Sequence, residues 1–164
     1  GGSGLASCTG TVANGALIDT SAVGSHTFTV TGADIAGNSA TATSTYKVVY
    51  AFSGFLQPVE NLPALNIANA GGAIPVKFSL GGNQGLAIFA AGYPASSPIP
   101  CDATEPGTVI EETVTAGSSG LSYSAATDQY NFVWKTDRSW RGTCRMLVVR
   151  FNDGAERLAK FRFK

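Results

Sequence analysis

Residues 25–31, which read SHTFTVT, carry the clearest structural pattern in the chain. Their histidine, phenylalanine and valine point to one side of an extended backbone, and the intervening threonines point to the other side. A period of two residues is typical of a β-strand with one buried face. Residues 41–50 resume the alternation after turn-forming residues at 34–38. The sequence therefore predicts a β-hairpin here.

Short runs of the same kind continue along the chain, separated by Gly, Pro, Ser and Asp. We predict strands at residues 74–80, 86–90, 109–114, 130–135, 144–151 and 156–163, with a hairpin turn at Asn152-Asp153-Gly154 between the last two. Pro75 cannot donate a ladder hydrogen bond, so its strand should lie at a sheet edge or begin at the proline. No helical pattern intervenes, and the predicted fold class is all-β, with antiparallel sheets packed as sandwiches or partly closed barrels.

Length and composition narrow the class of protein. A chain of 164 residues forms one ordinary domain or two small ones. Its 11 basic and 11 acidic residues balance, 13% of residues are charged and 44% are hydrophobic, which argues against a disordered polyelectrolyte and a nucleic-acid binder. We find no apolar run of about eighteen residues and no signal peptide, so we expect no membrane span and place any export signal upstream.

The segment 51–72 contains Pro58, Pro63 and several Asn and Gly residues, and it has no sustained period of 2 or 3.6 residues. It is interpreted as a linker or as an extended covering segment. We therefore predict a domain boundary near residue 51.

The C-terminal portion, residues 51–164, resembles a known family. The resemblance rests on IPVKFSL at 74–80, YNFVWKT at 130–136, Trp140 closely followed by Cys144, and Asp153-Gly154 before a Phe-rich last strand. Together these motifs resemble the PxKF-type domain of secreted bacterial proteins. The resemblance implies a β-sandwich of an exported protein and assigns it no biochemical activity.

The N-terminal portion, residues 1–50, resembles the C-terminal half of a bacterial Ig-like or hyalin-repeat-like domain. The similar motifs are Cys8-Thr9-Gly10, residues 18–20, residues 24–28 and the turn at 34–38. The resemblance implies an Ig-like antiparallel β-sandwich, a secreted or cell-surface location and no catalytic residues.

A complete Ig-like sandwich needs about a hundred residues and seven strands, whereas residues 1–50 supply only three or four. Half of the hydrophobic face would then be uncovered. Two explanations stay open: the chain is a fragment of a larger protein, or a neighbouring copy supplies the missing strand by β-addition. The second would build a fibre, because a head-to-tail contact that does not close propagates.

Three cysteines cannot all pair within one chain, and their spacing matches no zinc motif. Cys144 begins a predicted strand and Cys101 lies in a Pro-rich loop that a covalent tether would fix, so we predict a Cys101–Cys144 disulfide. Closing a loop of about forty residues contributes roughly 3 to 4 kcal/mol in the chain-entropy model. Two buried free thiols remain the alternative. Cys8 would then pair with an upstream cysteine or with another molecule.

Candidate chemistry is sparse. His26, the single histidine, is interpreted as a core or rim residue, since one histidine cannot build a metal site or a serine triad unaided. Asp34, Gly37 and Asn38 favour a turn over a calcium loop. We therefore predict no catalytic residue, no cofactor, no metal ligand and no enzymatic activity.

Two features suggest binding. Trp140, in a polar loop, is a possible ligand contact, which makes a carbohydrate-binding module the alternative function. Residues 131–164 carry nine basic and three acidic side chains, against two and eight in residues 1–130. The basic end can bind an anionic cell-wall polymer or another subunit, although a solvated edge is the simpler interpretation. The predicted function is a non-catalytic structural or interaction module of a secreted or cell-surface bacterial protein, whose partners are neighbouring domains or copies of itself.

Overall fold

The structure is a computed structural model that describes residues 3–108, 111–115 and 120–164. The chain divides into two compact units, Gly1–Val49 and Tyr50–Lys164. The fold is all-β, as predicted from the alternating sequence pattern. Within the described ranges, the one helical element is a short 3-10 turn at Arg138–Trp140.

The first unit is a three-stranded antiparallel sheet. Its strands are β1 (Leu5–Gly10), β2 (Gly24–Asp34) and β3 (Ser39–Val48), in the order β1-β2-β3. The predicted hairpin is confirmed as β2 and β3. Its turn is closed by the Asn38 amide, which donates to the Asp34 side chain at 2.8 Å, while Gly37 adopts the left-handed φ of 89° that glycine tolerates. The turn interpretation of 34–38 therefore holds.

The second unit contains two sheets. Its strands are β4 (Phe55–Leu56), β5 (Leu65–Ala68), β6 (Ala73–Phe78), β7 (Ala95–Ile99), β8 (Glu111–Glu112), β9 (Val114–Thr115), β10 (Ser122–Ser124), β11 (Gln129–Lys135), β12 (Cys144–Arg150) and β13 (Glu156–Phe163). The first sheet has the order β10-β11-β6-β4, with β9 also paired to β11. The second has the order β5-β13-β12-β7-β8, in which only β5 and β13 run parallel among the described strands.

Most of the strands predicted for this unit are present, and the differences concern residues 86–90 and 109–114. The predicted strand at 86–90 is wrong: only Phe89 makes an isolated bridge, to Phe151. Two backbone hydrogen bonds flank this bridge, from Ala90 to Arg150 and from Asn152 to Ile88, but the pairing extends no further and forms no strand. In the predicted strand 109–114, residues 109 and 110 lie outside the described part of the chain.

The segment 51–72 belongs to the second unit as an extended covering segment. Strand β4 pairs with β6 in one sheet, and β5 pairs with β13 in the other. Phe55 and Val59 from this segment are buried. Strands of two and four residues, separated by two prolines, are too short to show a period in the sequence.

Pro75 lies on a sheet edge, as its lack of an N–H group predicts. It pairs with Val133 of β11 on one side, whereas β4 reaches only Lys77 and Phe78 on the other side of β6. Pro75 therefore lies on the part of β6 that is a sheet edge among the described strands, where the missing N–H group breaks no ladder.

Aromatic rings from both sheets form the core of the second unit. Trp134 of β11 is fully buried and meets Phe161 of β13 edge-on, with ring centroids 5.2 Å apart. Phe78 of β6 meets Phe151 in the same way at 5.3 Å. Edge-to-face pairs of this kind add about 0.5–1.5 kcal/mol each beyond the burial of apolar area.

Strand β12 is buried on both of its faces. The predicted Cys101–Cys144 disulfide accounts for the cover over one of these faces. Cys101 and Cys144 are bonded, and they are 43 positions apart in the sequence. The bond fixes the segment after β7 against the outer face of β12, where Met146 and Val148 cluster with Ala103. Lys160 is also largely buried there, and its ammonium group donates to the Ala103 carbonyl at 3.2 Å. The alternative of two free thiols is thereby excluded.

Candidate functional site

The first unit has no core of its own. None of its described residues, 3–49, is buried, and several large apolar side chains face solvent: Leu5 is 70% exposed, Leu17 is 94% exposed and Ile35 is 72% exposed. A sheet gains stability from burying apolar side chains, at about 25 cal/mol per Å² removed from water. Large apolar side chains of this unit are instead exposed to solvent.

One face of this sheet is apolar, and we call it the open face. The register places Val30 opposite Ala42 and His26 opposite Tyr46, with Phe28 between them on β2. The rings of His26 and Tyr46 stack at 5.2 Å, and the His26 Nε2 atom lies 2.8 Å from the Ala22 carbonyl oxygen. His26 is thus a rim residue with a local role, in agreement with the sequence interpretation.

Cys8 lies at one end of the open face. It is an exposed free cysteine, and it lines a hollow of about 260 Å³ with Phe28, Val30 and residues of the following turn. The ring of Phe28 lies against Gly10, where an added Cβ would be 3.2 Å from the ring. The lining of the hollow is mixed, with Asn14 beside the apolar residues, and its one nucleophilic group is the Cys8 thiol.

The opposite face is polar. Thr29 and Thr31 of β2 stand across from Thr43 and Thr41 of β3, with hydroxyl oxygens 3.4 Å and 3.1 Å apart respectively. Cross-strand threonine pairs suit a solvated sheet surface. The two faces therefore differ in chemistry, and only the open face gains free energy from being covered.

The edges of the sheet are also unprotected. Strand β1 carries no charged residue and no proline, and strand β3 carries a single charge, Lys47, near its end. Natural edge strands normally avoid association through charges, prolines or bulges. The irregularity between Leu5 and Ser7 is the one such feature in the described pairing of β1 with β2. Among the described strands, the outer edges of β1 and β3 are unpaired.

Trp140, the predicted ligand contact, lies in the second unit at the end of the aromatic core. It is half-buried, with the Arg145 guanidinium 4.1 Å from its ring centroid and the rings of Trp134 and Phe163 at 5.8 Å and 5.5 Å. These contacts occupy much of the ring surface that a sugar would need. The structure shows Trp140 packed against Arg145, Trp134 and Phe163. Ligand binding at Trp140 stays a prediction.

No family model, curated protein or solved structure matches the chain. Within the described residues, no group of three or more His, Cys, Asp or Glu side chains is arranged to hold a metal ion. No helix in that same part of the chain is long and apolar enough to cross a membrane.

Proposed function

We propose that the chain is a non-catalytic structural or interaction module, and that the sheet of the first unit joins it to a second copy of itself. The observation that carries this proposal is the sheet without a core: none of the described residues 3–49 is buried. A second copy is a suitable partner, because its own open face is apolar and its edge strands carry few charges and no proline.

Assembly would proceed by strand addition. A strand from the next copy pairs with the free edge of β1 or β3 and brings apolar side chains over Phe28 and Val30. The backbone hydrogen bonds provide affinity and the alternate side chains provide specificity. Because each copy receives and donates a strand at different places, repeated addition produces an extracellular fibre.

We further propose a secreted or cell-surface location in bacteria. The Cys101–Cys144 disulfide supports it, because such bonds persist mainly in oxidising compartments. The motifs shared with PxKF-type and bacterial Ig-like domains point to the same location.

An Ig-like topology is also proposed for the second unit. Its strand order supports this: β4-β6-β11-β10 in one sheet and β13-β12-β7 in the other correspond to the A-B-E-D and G-F-C orders of immunoglobulin sandwiches. The disulfide departs from that pattern, since it joins the segment after β7 to β12 rather than linking strands B and F.

Two adjacent substitutions test the assembly. Ala42 lies on the open face and Thr43 on the polar face of the same strand, so Ala42→Lys and Thr43→Lys add the same charge to opposite faces. We expect concentration-dependent oligomers of the natural chain by sedimentation velocity, and fibres by electron microscopy. Ala42→Lys should return the chain to monomers, and Thr43→Lys should not.

The thiol of Cys8 gives a second readout. Covering the open face should slow its alkylation in the oligomer relative to the Ala42→Lys variant. A natural chain that stays monomeric at all concentrations, with Cys8 fully alkylated, overturns the proposal. Equal dissociation by both lysine variants overturns the assignment to the open face.

A further inference from the structure

A hollow with a basic lining lies in the second unit. Its volume is about 320 Å³, and it is lined by Asn69, Ala70, Arg138, Arg141 and Lys164. Three of these five residues have cationic side chains, and none has an acidic side chain. The hollow has room for roughly ten water molecules at about 30 Å³ each, or for a small anion with part of its hydration shell.

The walls of the hollow come from three segments that are distant in sequence and joined by backbone hydrogen bonds. The Ala70 amide donates to the Lys164 carbonyl at 3.1 Å, and the Lys164 amide donates to Ala68 at 2.9 Å. The Gly142 amide donates to Phe163 at 2.9 Å. The turn after β5, the 3-10 turn and the end of β13 are therefore held in fixed positions.

Gly71 positions one of the cations. It has a left-handed φ of 79°, and a Cβ atom there would collide with Cγ of Arg138. The aliphatic stem of Arg138 thus lies directly on the backbone of the turn. A side chain that is ordered before binding loses less entropy when it captures a ligand.

No acidic side chain lies among the described residues that line the hollow. Among the described residues, Arg138, Arg141 and Lys164 form no ion pair. The adjacent Asp137 does not line the hollow, and its carboxylate accepts a hydrogen bond from the Ser139 amide at 2.7 Å. Three unpaired positive charges around one hollow repel each other, and a bound anion removes that repulsion.

We propose that this hollow binds a tetrahedral oxyanion, namely a phosphate group that is either free or esterified. Guanidinium groups match phosphate oxygens in paired hydrogen bonds, and the ammonium group adds a point charge. A carboxylate has only two oxygens, which a single guanidinium satisfies. Three cationic side chains around one hollow suit an anion with three or more acceptor oxygens. This site is independent of the proposed assembly through the first unit.

The test is a titration of the full chain with inorganic phosphate, followed by NMR of the backbone amides at constant ionic strength. We expect saturable shifts confined to residues 69–72, 137–142 and 164. A glycerol phosphodiester serves as the second probe. Binding of the diester identifies a phosphate within a polymer as a suitable ligand, and binding of inorganic phosphate alone identifies the free ion.

Two matched variants distinguish phosphate binding at the hollow from nonspecific binding to surface charge. Arg141→Gln should weaken phosphate binding at least tenfold, whereas Arg150→Gln removes the same charge from an exposed residue outside the hollow and should leave binding unchanged. Both side chains are exposed, and Arg150→Gln also removes a surface ion pair with Glu156 that contributes at most about 1 kcal/mol, so both variants should stay folded. Gly71→Ala, which displaces Arg138, should weaken binding several-fold. Shifts that never saturate, or an equal effect of the Arg141 and Arg150 variants, would overturn the proposal.

Discussion

The backbone amide of Tyr50 donates a hydrogen bond to the carboxylate of Asp153, 103 positions later in the sequence, over 2.9 Å. Asp153 is almost fully buried, and its other oxygen accepts from the Ala155 amide at 2.7 Å. One side chain therefore closes the β12–β13 turn and anchors the first residue of the second unit. The sequence identifies Asp153 as a turn residue and as part of the Asp153-Gly154 motif, but nothing local pairs it with Tyr50.

Replacing Asp153 with Ala should destabilise the second unit by about 1–3 kcal/mol, because it leaves a buried amide without an acceptor. Asp153→Asn retains one acceptor oxygen and should cost less. Urea denaturation of the two variants measures the difference. Equal stability of Asp153→Ala and the natural chain would show that the Tyr50 hydrogen bond contributes nothing.

Reduction of the disulfide should destabilise the chain by about 4 kcal/mol in the chain-entropy model, since it releases a loop of 43 positions. The outer face of β12 would then lose its cover, and Met146 and Val148 would be exposed to solvent. The measurement is the urea midpoint with and without reductant. Cys8→Ser is the control, because this exposed thiol should not alter the midpoint. An unchanged midpoint on reduction would contradict the covering role.

Acid should weaken the turn that Asp128 holds together. Hydrogen bonds from Ser79 and then Tyr123 lower the pKa of Asp128 below its ordinary value. A carboxyl group with a lowered folded-state pKa stabilises the fold above its unfolded pKa, near 3.8, and this contribution is lost as pH falls through the folded value.

Asp128→Asn tests this dependence. Asn tolerates the φ of 50° at this position, so the substitution removes the charge and keeps the turn. We expect the free energy of unfolding to fall less steeply in the variant when pH is lowered from about 5 to about 2. Identical pH profiles of the variant and the natural chain would be inconsistent with a role for the charge.

Trp140→Ala should destabilise the second unit by about 2 kcal/mol, less than the loss of a fully buried ring, because it removes a half-buried ring that contacts Arg145 and Phe163. Trp140→Phe keeps an aromatic ring beside Arg145 and should cost less. Thermal unfolding compares the two. Retention of the natural chain on a polysaccharide resin, with loss of retention in a Trp140→Phe variant of natural stability, would instead favour the carbohydrate-binding hypothesis.

The open face could be anticipated from the sequence, whereas the basic hollow could not. The alternation of His26, Phe28 and Val30 defines a sheet face within seven consecutive residues, because successive side chains of a strand point to opposite sides. The arginines of the hollow were noted only as part of a basic C-terminal region. A possible sequence signal was Gly71 in the Asn-Ala-Gly-Gly turn, but nothing in the local pattern pairs it with Arg138.

Local rules thus account for the strands, the hairpin turns and the polarity of each sheet face, since these depend on residues close together in the chain. Pairings between segments that are distant in sequence depend instead on the tertiary structure. The parallel pairing of β5 with β13, the anchoring of Tyr50 by Asp153 and the meeting of Arg138 with Lys164 all depend on how two sheets align. That alignment is fixed by the packing of rings such as Trp134 against Phe161, a contact between residues 27 positions apart whose geometry no short stretch encodes.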